Sequence, residues 1–126
     1  MRKESEQWLK QAQEDLETAT IDFKNARYYA CSFWSQQAAE KALKSLHLEI
    51  KKEPMMGHSL LFLAKTLAAP RAILENCAVL NPEYAVSRYP DAAAGVPAEV
   101  HTEQISSTHL QKAGEVLQWV KQKLQL

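Results

Sequence analysis

The run Gln36-Gln37-Ala38-Ala39-Glu40-Lys41-Ala42-Leu43-Lys44 restricts what this chain can fold into more than any other stretch. Its residues are all strong helix formers, so the backbone gains little from another conformation. The alanines put small side chains where a partner helix can approach closely, and the charges fall at the register of a solvated flank. A chain organised around such a segment buries itself by packing helices. The scarcity of breakers elsewhere points the same way, with 3 Gly and 5 Pro in 126 residues.

Hydrophobic periodicity extends this pattern along the chain. From Glu4 to Ala26, Trp8, Leu9, Ala12, Leu16, Ala19, Phe23 and Ala26 recur at helical steps, with Glu14, Asp15, Glu17 and Asp22 on other faces. A second helix runs from about Tyr29 to Lys51, and its apolar surface is broad enough to mark a central helix. Pro54 and Gly57 then break the pattern. A shorter helix follows from about Ser59 to Ala68, and another from Pro70 to Leu80. Periodicity disappears between Asn81 and His101, a segment that reads as a long irregular connection. Thr102 suits the N-cap of a last helix, with Glu103 well placed against its dipole. The expected fold is all-α, a single domain over residues 1–126. It is an up-and-down bundle of four main helices plus a shorter one.

Fifteen basic and fifteen acidic side chains leave a formal net charge of zero, so no global field draws the chain onto nucleic acid or a membrane surface. No window approaches the roughly 18 apolar residues of a membrane span, and the N-terminal residues lack the apolar core of a signal peptide. A cytoplasmic protein is expected. Cys31 and Cys77 lie far apart among apolar neighbours, which suits buried reduced thiols rather than metal ligands. No Gly-rich phosphate loop or nucleophile triad is present, and no cofactor or metal is expected.

The order of elements and several short words resemble the HEPN family (higher eukaryotes and prokaryotes nucleotide-binding). The matching words are Trp8 and Asp15-Leu16, Gln36 to Lys44, Pro54 and His58-Ser59-Leu60, Tyr84 and Arg88-Tyr89-Pro90-Asp91, and Trp119-Val120. The resemblance implies a helical bundle that pairs into a homodimer, often beside a nucleotidyltransferase of the MNT type. It also implies a site. Ribonuclease members carry an Arg followed, after four to six residues, by a His near the start of the last helix. A guanidinium holds phosphate bidentately, and imidazole moves the proton of a ribose hydroxyl. Arg88 stands at the Arg position, but residues 93 to 95 are Ala93, Ala94 and Gly95. His101 and His109 are the next histidines, so His101 is a catalytic candidate only if the segment folds back.

Arg88, Tyr89 and Asp91 are the candidate nucleotide- or phosphate-binding residues, offering phosphate-holding, stacking and acceptor groups together. His58 reads as a helix-capping residue, and Lys41, Lys44, Lys51 and Lys52 as a solvated face. Three function classes are compatible with these residues. The first is a weakly catalytic or non-catalytic subunit that contacts nucleotide or RNA phosphate beside an MNT-type nucleotidyltransferase. The second is a metal-independent ribonuclease toxin of a toxin–antitoxin pair. The third is a structural dimerisation bundle.

Overall fold

Helices account for every regular element of the chain, which a computed structural model describes over residues 1–126. In order they are α1 (Lys3–Lys24), α2 (Tyr28–Lys51), α3 (Leu60–Thr66), α4 (Arg71–Leu80), α5 (Glu83–Val86), α6 (Pro90–Ala93), α7 (Pro97–Val100) and α8 (Glu103–Leu124). The up-and-down bundle of four main helices and a shorter one is present as expected. No helix is long and apolar enough to cross a membrane.

Helix α2 is the axis of the bundle. It packs against α1 and α8 along its length and meets α3, α4, α5 and α7 on its remaining faces. Its contact surface is built from small residues: Ser32, Ser35, Ala38, Ala39, Ala42 and Ser45 are all fully buried. Larger side chains at these positions would hold the neighbouring helices apart. Leu43 and Leu46 fill the remaining space against Leu60, Leu63, Leu80, Val116 and Val120.

Close packing also buries polar groups, and each needs a partner. The Asp15 carboxylate accepts from Gln11 Nε2 at 2.9 Å and from the Lys41 ammonium, which ties α1 to α2. Ser45 Oγ donates to the Ser5 carbonyl at 2.7 Å across the same interface. Asp15 therefore faces the bundle, not solvent as periodicity alone indicated. The expected solvated lysine face is divided too. Lys41 and Lys44 are half-buried and paired, with Asp15 and Glu40, whereas Lys51 and Lys52 are exposed.

Local capping fixes two helix starts. Ser59 Oγ accepts from Phe62 N, and Thr102 Oγ1 accepts from Ile105 N, each at 3.2 Å. The helix ends are less conventional. Ala26, Lys52, Ala68, Ala94 and Gln125 hold left-handed backbone at or just beyond C-termini, positions where glycine is usual.

The largest departure from the sequence reading lies between Asn81 and His101. This segment contains three single-turn helices, not an irregular loop. Four residues are too few to show a helical period. The prolines supply the signal instead, since Pro90 and Pro97 begin α6 and α7 and Pro82 precedes α5. They act as helix starters here.

Both cysteines are free and buried, and burial pushes the Cys77 thiol up to about 12. Trp8, Trp34 and Trp119 are half-buried. Because Leu43 is fully enclosed, Leu43→Ala should cost about 3 kcal/mol of unfolding free energy. Lys51→Ala, at an exposed helix end, should stay within about 0.5 kcal/mol of wild type. Urea unfolding midpoints check both, and equal effects would contradict the described core.

Candidate phosphate-binding site

The α5 turn positions Tyr84 and Arg88. Tyr84 lies within α5, and Arg88 follows one turn later. Its Nε donates to the Tyr84 carbonyl at 2.7 Å, satisfying a helix-end acceptor. Its guanidinium carbon then lies 4.4 Å from the centre of the Tyr84 ring and 4.9 Å from those of Phe33 and Tyr89. Rings attract the cation electrostatically and hold the guanidinium plane in place. They do not neutralise it. Arg88 makes no ion pair, and hydrogen bonding engages only its Nε.

Tyr84 carries a second group. The His58 ring stacks on it at 4.1 Å between centroids, with the planes 17° apart. His58 Nδ1 lies 3.2 Å from both carboxylate oxygens of Glu40. Glu40 is 4% exposed and also accepts from Gln36 Nε2 at 3.2 Å and Lys44 Nζ at 3.1 Å. The His58 side chain is 51% exposed, so a buried, fully partnered carboxylate holds a solvent-facing imidazole. Sequence reasoning placed His58 as a helix cap, but Ser59 fills that role. The Glu40–His58–Tyr84 relation is tertiary, with no spacing in the chain to reveal it.

Tyr89 is half-exposed, and one face of its ring meets the Arg88 guanidinium. Asp91 lies in the first turn of α6, exposed and not paired with Arg88. The structure thus brings Arg88 and Tyr89 together and leaves Asp91 at the edge.

His101 points elsewhere. Its Nδ1 donates to the Pro97 carbonyl at 2.8 Å, and its Nε2 lies 2.6 Å from Glu83 Oε1. The ring is buried with both nitrogens engaged, and it joins α7 to α5. His109 Nδ1 meets Ser32 Oγ at 2.7 Å in the interface of α2 and α8. Burial lowers the His109 pKa. Nearby Glu83 opposes that shift, while His101 and Lys112 add to it. Neither ring shares a partner with Arg88; His58 does. No group of His, Cys, Asp and Glu is arranged to hold a metal ion.

Comparison with known proteins places the chain in a family. Residues 5–123 match the HEPN domain, and the chain belongs to the HEPN family. It is similar to the crystal structure of TT1696 from Thermus thermophilus, with 35% identity and a TM-score of 0.89 over 97% of this chain and 99% of that one. It is also similar to ST0689, an archaeal HEPN homologue, with 37% identity and a TM-score of 0.83 over 98% of each chain. An HEPN domain protein from Thermotoga maritima, TM0613, shares the fold at 23% identity, with a TM-score of 0.76 over 94% of this chain and 98% of that one. No curated protein matches the sequence.

The buried His109 has a consequence for stability against pH. Its proton affinity is lowered in the folded chain, so the unfolded chain binds that proton more tightly. Its contribution is complete above the unfolded value of about 6.5 and is lost as pH falls below it. Denaturant midpoints at about pH 7.5 and about pH 5.5 should fall less for His109→Gln than for wild type, because the amide has no proton to take up in this range. Equal decreases would mean that another group governs this range.

Proposed function

We propose that this HEPN-family chain works as a phosphate-contacting subunit beside an MNT-type nucleotidyltransferase, with weak or no catalysis of its own. One observation carries the reading. Arg88 presents a cation that no carboxylate neutralises, fixed among aromatic rings at the surface. A phosphate supplies the missing counter-charge through bidentate hydrogen bonds, and the half-exposed Tyr89 offers a ring for a base. Asp91, at the edge of the same segment, is available to a ribose hydroxyl. The ligand is accordingly a nucleotide or an RNA phosphate.

The family resemblance supports the choice of partner and a homodimeric state. Helix α2 buries most of its apolar surface within the monomer, yet Phe33 and Trp34 stay half-buried and Ile105 of α8 is 42% exposed. Pairing through α2 and α8 would bury more than roughly 1,000 Å².

Weak catalysis follows from the histidines. A proton-transfer group must reach the reacting atoms, and both ring nitrogens of His101 are committed to Pro97 and Glu83. The toxin reading, a metal-independent ribonuclease, therefore ranks below the binding reading. A structural dimerisation bundle ranks lower still, because it gives Arg88 no role.

Co-purification and titration test the proposal together. A nucleotidyltransferase is expected to co-purify with the dimer, and Arg88→Ala should weaken nucleotide binding by about tenfold or more. Asp91→Ala should have the smaller effect. If no nucleotidyltransferase is retained and neither variant changes binding, the chain is a dimeric scaffold.

A further inference from the structure

Two groups lie against the Tyr84 ring, and only one of them carries a fixed charge. Arg88 lies against the ring at 4.4 Å and His58 at 4.1 Å. The guanidinium and the imidazole therefore meet on one aromatic ring. The Tyr84 hydroxyl and His58 Nε2 take no part in the hydrogen bonds that hold this cluster together, and neither do the terminal nitrogens of Arg88. His58 is held at its opposite nitrogen. Glu40 accepts on both oxygens, so Nδ1 carries the proton and donates. A neutral imidazole has a single N–H. With that proton fixed on Nδ1, Nε2 bears a lone pair, which repels a phosphate oxygen.

We propose that Arg88, Tyr84 and His58 form one phosphate-ester site in which binding takes up a proton on His58. This rests on the Arg88 reading above and adds a second residue and a linkage to it. The added proton comes from solvent, bonds to the Nε2 lone pair, and turns that nitrogen into a donor towards phosphate. Imidazolium and guanidinium then hold the anion together, with the Tyr84 hydroxyl as a neutral donor beside them. Glu40 and Lys44 from α2 and Arg88 from the turn after α5 are the charged groups around His58, and a bound phosphate adds a negative charge beside Nε2 that attracts the added proton. Glu40, at 4% exposure with three partners, keeps the imidazole oriented in either state.

The probes are the ribodinucleotide ApA, whose single phosphodiester keeps its charge near neutral pH, and adenosine 5′-monophosphate. Calorimetric titration of the full chain should show ApA affinity falling about tenfold between about pH 5.5 and about pH 8. His58→Gln, at a half-exposed position, should flatten that dependence and leave the circular-dichroism spectrum and melting temperature unchanged. Tyr84→Phe, which keeps the stack, should lose affinity severalfold at every pH. Arg88→Ala should lose more while keeping the slope. If only the monophosphate shows a His58-dependent slope, the site takes terminal phosphates; if ApA shows it, the site takes diesters, and either supports the proposal. A slope unchanged in His58→Gln overturns the proton-linked site and leaves the Arg88 reading standing. Binding indifferent to Arg88→Ala overturns both, and so does the absence of binding by either probe.

Discussion

The close approach of α1 and α8 to the small-residue surface of α2 is the constraint from which the rest of the architecture follows. Alanine and serine bring little apolar area each, so the bundle relies on dense packing rather than on large side chains. Dense packing leaves no room for water beside the polar groups that α2 also carries. Gln36, Glu40 and Ser45 must therefore find partners within the protein. Glu40 does so by collecting Gln36, Lys44 and His58, which converts a packing requirement into an ordered charge beneath the surface. The site is a by-product of how the central helix is buried.

Much of the bundle was legible in the sequence because long amphipathic helices repeat their signal. Leu9, Ala12 and Ala19 state the inner face of α1 several times over, and Val116, Leu117 and Val120 do so for α8. Single turns state nothing twice, which is why α5, α6 and α7 read as loop. Asp15 misleads for a different reason. A carboxylate at a helical position looks solvated until the lysine that pairs with it arrives from another helix. The word Arg88-Tyr89-Pro90-Asp91 marked one side of the candidate site. Its other side was illegible because Glu40, His58 and Tyr84 meet only through tertiary packing, with each separated widely in the chain. His101 was a candidate only as the next histidine after Arg88, and the fold commits that ring to Glu83.

The two histidines on either side of α5 illustrate how environment divides one residue type into different roles. His101 is enclosed and uses both nitrogens to join α5 to α7. His58 gives one nitrogen to a buried acid and turns its other edge to solvent. The first arrangement holds the short helices in register, and that register sets where Tyr84 and Arg88 emerge. The enclosed and the solvent-facing histidine are thus coupled through a segment only a few residues long, without touching each other.

The helix ends carry a consequence for how this fold can be improved. Ala26, Lys52, Ala68, Ala94 and Gln125 all bear a β-carbon in backbone conformations that favour its absence. Each such joint holds on the order of 1 kcal/mol of backbone strain that the helices around it must outweigh. The chain therefore works below the thermal ceiling its topology permits. Glycine at these joints raises that ceiling without altering a single core contact, which makes the bundle a tolerant scaffold for redesign of the surface around Tyr84.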